Sequence, residues 1–280
     1  MLEPEVHYKV PWRTRGYIPG AHPSSQQGGG QEFRHHLPLV RAPDPRRFDI
    51  RASLRDPFEQ VYVRVYQQSG AIPVYVVADM SASMSFRGQH SKQDTVADFV
   101  KGLSHACYRS GDRFGFVGLS DSQSEPLLLP ATMNRAAGLA MADQIRRAAF
   151  VGKNEKELLY AQKFLGSRRA LVFLLSDFHY SEAQIAKQLA ALSFHDVVPV
   201  VIWDRQEHRE MPRFGISRIR DGESGRRRLL FMRPSLRKKI SENFAARKKS
   251  LSKLFIRLSH PPLFLEDGYR ANEVTGYFYQ

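Results

Sequence analysis

One cysteine in 280 residues excludes an internal disulfide. Cys107 falls on an apolar helical face, where a buried, inert thiol is expected. No uninterrupted apolar run approaches the roughly 18–20 residues that span a bilayer. The opening Met1-Leu2-Glu3-Pro4-Glu5 has no basic patch leading into an apolar segment, so no secretory signal is read there and a cytoplasmic location is expected. Acidic residues are scarce: 28 Asp and Glu against 42 Lys and Arg leave a net charge of +14. Such a balance attracts something acidic, whether nucleic acid, a lipid surface or a protein. Catalytic signatures are missing too. There is no Gly-rich loop ending in Lys-Ser/Thr, no G-x-S-x-G elbow and no H-E-x-x-H pair, and nothing places a nucleophile beside a base. His35-His36 lies in an irregular region and reads as ordinary surface.

What is present centres on Val74-Tyr75-Val76-Val77-Ala78-Asp79-Met80-Ser81-Ala82-Ser83-Met84. An apolar run of strand length, of the kind buried on both faces, ends on a carboxylate, and hydroxyls follow at two-residue spacing. In open α/β sheets ligands sit just beyond the carboxyl ends of the strands. Asp79, Ser81 and Ser83 therefore fall where a ligand is expected, and all three present oxygen, the donor that hard divalent cations select. The plainer alternative is an Asp followed by serines that cap the next turn. A second strand, Ala170 to Ser176, repeats the device and ends at Asp177. Parallel strands point both carboxylates to one edge of the sheet, where they can converge with Ser81 and Ser83.

Around these strands the pattern alternates. Residues 1–70 form an arm broken by Pro and Gly, with Val61 to Tyr66 its one clear strand, expected to pack on a body spanning residues 71–280. In the body, Ser91 and Asp94 open a helix that Gly111 stops. Arg113 to Leu119 and Glu125 to Ala131 are strands, Asn134 to Ala148 is a helix, and Asn154 with Glu157 opens another that ends near Leu165. Ser181 with Gln184 starts a helix before the strand Val197 to Trp203, in which Pro199 predicts late-starting hydrogen bonding or a bulge. A hairpin flanks Asp221 to Gly225. A long helix from Pro234 sets Leu236, Ile240, Phe244, Leu251, Leu254 and Phe255 against a face carrying Arg237, Lys238, Lys239, Arg247, Lys248, Lys249, Lys253 and Arg257. Strands alternating with helices predict an α/β fold, a mainly parallel sheet with helices on both faces.

In this setting Asp79-Met80-Ser81-Ala82-Ser83 resembles the metal-ion-dependent adhesion site (MIDAS) of von Willebrand factor A-type domains, a Rossmann-like fold. More narrowly, the chain is similar to the domain-of-unknown-function 58 family, A-domain proteins often encoded beside MoxR-type AAA+ ATPases. The narrower likeness is carried by Gly28 to Phe33, Asp44 to Arg55, Ser91-Lys92, Gly111-Asp112-Arg113, Leu175 to Phe178 and the Asp221 to Gly225 turn, over roughly residues 16–280. The resemblance implies a bound Mg2+ or Mn2+. Two serine hydroxyls would bind it directly, the first Asp would act through water, and a threonine from another loop and a later Asp would complete the set. Asp79, Ser81, Ser83 and Asp177 take four of those roles. At the threonine this sequence departs: Val151-Gly152-Lys153-Asn154 offers Lys153, whose ammonium could replace the cation, or Asn154, which could supply an oxygen or simply cap a helix.

By resemblance the function is a non-enzymatic interaction or assembly factor. It would work with a MoxR-type AAA+ ATPase to mature a larger complex, such as an oxidoreductase of the methanol dehydrogenase kind. The strand-end site would grip an acidic residue of a client protein. Arg47, Arg51 and Arg55 in the arm are candidates for partner binding; the plainer reading pairs them with neighbouring acids. Two alternatives stay open: a basic adaptor for nucleic acid or an anionic membrane, and a metal-dependent phosphohydrolase. Few aromatics interleave with the basic helix face, which counts against single-strand binding, while peripheral membrane contact remains compatible with the charge.

Overall fold

The computed structural model describes every residue except 1–4, 15–19, 29–31, 42–43, 121–125, 153–156, 209–214, 221–226 and 280. The chain divides into two compact units, one of Lys9–Ile72 with Ser110–Asp112, the other of Met1–Tyr8, Pro73–Arg109 and Arg113–Gln280.

The smaller unit holds β1 (His22–Gly28), β2 (Glu32–Pro38), the short helix α1 (Ile50–Leu54) and β3 (Tyr62–Gly70). The strands form an antiparallel sheet in the order β1-β3-β2. Asp49 caps α1 by accepting from the Ala52 amide, and its carboxylate also takes Arg64 at 2.6 Å and His36 at 3.0 Å. These contacts, the Arg64 hydrogen bond foremost, hold the Asp49 carboxyl well below the ordinary aspartate range. The arm's charges thus fix one strand against another. Arg47 is paired as well, with Asp44 at 3.1 Å. At the base of this unit the buried Asp112 accepts from the Ile72 amide at 2.8 Å and meets His22 at 2.8 Å.

The larger unit is built on β4 (Pro73–Asp79), α2 (Lys92–Ser110), β5 (Arg113–Leu119), β6 (Leu127–Thr132), α3 (Arg135–Arg147), β7 (Leu171–Ser176), α4 (Glu182–Ala191), β8 (Asp196–Ile202), α5 (Arg205–His208), the hairpin β9 (Gly215–Arg220) and β10 (Arg227–Met232), α6 (Pro234–Arg257), β11 (Leu263–Leu265) and α7 (Ala271–Phe278). Six strands form one sheet in the order β11-β8-β7-β4-β5-β6, parallel except for β6 at the edge. This is the doubly wound order: the chain moves to one side of β4 through β5 and β6, then returns to its other side through β7, β8 and β11. The switch point lies between β4 and β7.

Every residue of β4 and of β7 is buried, as a strand covered on both faces requires. On one face Tyr75, Val77, Val172 and Leu174 pack with Leu158, Ile185, Leu189, Leu254 and Phe255. On the other, Phe173 meets Phe99 of α2 and Phe278 of α7. Burying each such side chain stabilises the fold by roughly 1.5–3 kcal/mol, so the sheet centre is the rigid base of whatever stands at its rim.

Several expectations are met in detail. Ser181 and Gln184 form a reciprocal capping box, Asn134 caps α3, Ser91 accepts from the Asp94 amide, and Gly111 ends α2 with φ +74°. Others are corrected. Glu157–Phe164 is a 3-10 helix rather than an α-helix. The β7–β8 ladder runs through Pro199 without a register shift. β11 joins β8 only from Val200, so the missing Pro199 N–H has no strand to serve on that side. Cys107 is fully buried. Among the described residues no helix is long and apolar enough to cross a membrane.

Candidate functional site

Ala78 of β4 lies opposite Leu175 of β7, which sets Asp79 and Ser176 side by side at the carboxyl rim of the sheet. Asp79 turns back on its own loop, one carboxylate oxygen accepting from the Ser81 amide at 2.9 Å. Its other oxygen accepts from the Ser176 hydroxyl at 2.8 Å, which ties the two strand tips together. The Ser81 and Ser83 hydroxyls are 3.1 Å apart, and Ser83 stands near enough to Asp177 to help hold its carboxyl low. All four residues predicted to form the site therefore meet at the switch point. Asp79, Ser81 and Asp177 are buried, and Ser83 is partly exposed.

The lysine at this rim is one whose role is absent from the sequence reading. Lys92, in the first turn of α2, is 1% exposed and places its ammonium 3.3 Å from Asp177 and 2.7 Å from Glu207 of α5. Its entry is fixed by a third strand-end carboxylate. Asp204, directly after β8, accepts from the Gln89 amide at 3.3 Å and the His90 amide at 2.8 Å. Gly88 permits that approach, because a Cβ there would sit 2.1 Å from an Asp204 oxygen. Asp204 closes a third apolar strand with an acid, a signal present in the sequence but not drawn on above. Lys92 and Glu207 carried no such signal, since a lone Lys or Glu at a helix start reads as solvated surface. Lys153 and Asn154 lie outside the described residues; their neighbour Gly152 accepts from the Ala82 amide at 3.0 Å.

Burial shapes the charges, and the contacts then divide them. Burial and the adjacent Asp177 both push the Asp79 carboxyl up. Burial also raises Asp177, but Lys92, His179 and the Ser83 hydrogen bond outweigh it and hold Asp177 below the ordinary range. For Lys92 burial favours the neutral amine, yet Asp177 and Glu207 prevail and keep it charged. Of the two carboxyls Asp79 is the readier to hold a proton, and the ion pair is Asp177 with Lys92.

The loop after β7 is braced from α6. Phe178 takes φ +50°, unusual for a bulky residue, and is held there by packing on Phe255 and by Arg247, which donates to the carbonyls of Phe178 (2.6 Å) and Tyr180. Trp203 donates to the Asp177 carbonyl at 2.9 Å. The basic face of α6 is thus not uniformly solvated: Arg247 serves the site, and Lys248 pairs with Glu266 at 2.7 Å.

A divalent cation, which the resemblance implies here, would need donors that are free to receive it. Both Asp79 oxygens are engaged, the two serines are bonded within the site, and Asp177 is neutralised by an ammonium. Among the described residues, no buried polar side-chain atom of the site lacks a hydrogen-bond partner. The fit to a resident divalent ion is poor.

Comparison with known proteins adds the following. Residues 43–250 match the family described as "Protein of unknown function DUF58". A Paracoccus denitrificans protein described as an uncharacterized protein in the moxR 3' region is 39% identical over 70 residues, 25% of this chain and 67% of that protein. Among solved structures, the conserved hypothetical protein BatB from Bacteroides thetaiotaomicron aligns over 75% of this chain and 100% of its own, with 12% identity and a TM-score of 0.45. The VWA domain of SpRpn10 aligns over 48% of this chain and 75% of its own, with 14% identity and a TM-score of 0.36.

Proposed function

The chain belongs to the DUF58 family, and on that footing we propose that it is a non-enzymatic interaction and assembly factor working with a MoxR-type AAA+ ATPase. The observation that carries this reading is the meeting of Asp79, Ser81, Ser83, Ser176 and Asp177 at the switch point of a doubly wound sheet, where such folds bind their ligands. The relative from a moxR region supports the choice of ATPase. The partly exposed Ser83 hydroxyl, accepting from Ser81 behind it, would turn its own proton outward to an acidic residue of a client, and the net charge of +14 favours clients of that kind. ATPase cycling would then remodel the client complex, an oxidoreductase such as methanol dehydrogenase being one.

A second contact surface lies in the smaller unit. α1 leaves Ile50 60% exposed and Leu54 81% exposed at helical spacing, with Arg51 and Arg55 exposed beside them. Exposed apolar groups bracketed by arginines suit an acidic, partly apolar segment of a partner. Arg47, the third arginine proposed for partner binding, is held by Asp44 at 3.1 Å. Titration calorimetry with the MoxR-type ATPase of the same genome tests the reading. Saturable binding that persists at physiological salt is expected, and absence of binding with and without nucleotide contradicts it.

A further inference from the structure

Lys92 carries an inference that the family likeness does not supply. A lysine in the first turn of an α-helix faces the positive end of the helix dipole, and a lysine buried to 1% exposure has also given up its hydration. Either circumstance favours losing the proton. The charge persists because two carboxylates from other elements, Asp177 at 3.3 Å and Glu207 at 2.7 Å, close on one ammonium. The lysine cannot swing away. Its amide donates to the Phe86 carbonyl at 3.1 Å, its ammonium lies 5.8 Å from the centre of the Phe86 ring, and the loop before it is stitched to Asp204.

We infer that Lys92 is the resident cation of the strand-end site, a covalently tethered charge that holds Asp177 and Glu207 where a divalent ion would otherwise be required. A metal added beside it would meet a fixed positive charge in a site of low dielectric, with serine and aspartate oxygens already committed to one another. A tethered ammonium is also indifferent to chelators and to fluctuating metal supply. This rests on the reading above only for the use of the rim, since the free protein reports on it without any partner.

The test is thermal unfolding of the whole chain in chelator, in millimolar MgCl2 and in millimolar MnCl2. Wild type is expected to melt within about 1 °C in all three, whereas an ion present at a hundredfold excess over its Kd would raise Tm by roughly 5 °C or more. Lys92→Met keeps the stem and removes the charge; a loss on the order of 10 °C is expected. A metal-dependent rise in wild type, or a Lys92→Met variant as stable as wild type, overturns the inference. Should the variant fail to fold, the wild-type measurement decides alone. ATPase binding can fail while this result stands, and the reverse.

Discussion

Lys92 and Asp177 make a pair whose stability has a definite pH signature. Asp177, held low, contributes stability above the ordinary aspartate value that is lost as pH falls through its lower folded value. Lys92, held high, contributes stability below the ordinary lysine value that is lost as pH rises through its higher folded value. Between those limits the pair's contribution is flat. Removing the ammonium shifts the acid side, because burial is the largest influence on Asp177 and Lys92 is the foremost group opposing it, leaving only His179 and the Ser83 contact. Lys92→Met should cost about 3–5 kcal/mol near neutrality, the usual consequence of orphaning a buried charge. Relative to wild type it should regain stability as pH is lowered from neutrality, as Asp177 takes up a proton. Urea midpoints for both proteins across that fall in pH check the sign.

At the scale of elements, α6 does two jobs along one length. Leu251, Leu254 and Phe255 are buried against the sheet, while Arg247 reaches back to the carbonyls that follow Asp177. Hydrogen bonds from a charged donor contribute about 1.5–3 kcal/mol, so Arg247→Met should destabilise by about that amount and loosen the loop carrying Asp177. Lys253→Met, on the exposed side of the same helix, should stay within about 0.5 kcal/mol. Chemical denaturation of the two variants separates a brace from a surface charge. Equal effects would mean that the Arg247 contacts contribute nothing of their own.

The contrast between those residues shows what the sequence could and could not reveal. Signals that act within a few residues were legible: the Ser181–Gln184 box, the Asn134 cap, the Gly111 stop and the apolar runs that became β4, β5, β7 and β8. So was the meeting of Asp79 with Asp177, because parallel strands bring their carboxyl ends to one rim. The 3-10 helix at Glu157–Phe164 was misread, since Leu158, Ala161 and Leu165 are buried at spacings that suit either helix. α7 was missed, for its N-cap Arg270 provides no side-chain cap. Arg247 looked like any other charge in a basic stripe. Lys92 carries no local signal, because the Asp177 that keeps it charged is 85 residues away.

For the whole molecule, the net charge of +14 admits two accounts of partner choice: diffuse attraction by the basic face of α6, or grip by the strand-end rim. The first is salt-dependent and spread over many residues, the second local and oriented. With Arg247 and Lys248 engaged inside the fold, the basic face is thinner than its sequence implies. The measurement that separates the accounts is the affinity of the purified ATPase for wild type, Ser83→Ala and Lys249→Ala/Lys253→Ala, each first confirmed to melt like wild type. Loss of an oriented hydrogen bond to a charged partner group should weaken binding by about tenfold or more in Ser83→Ala, and the basic-face variant should change it by less than about threefold. Unchanged affinity in Ser83→Ala, with binding that collapses in the basic-face variant, would contradict the account.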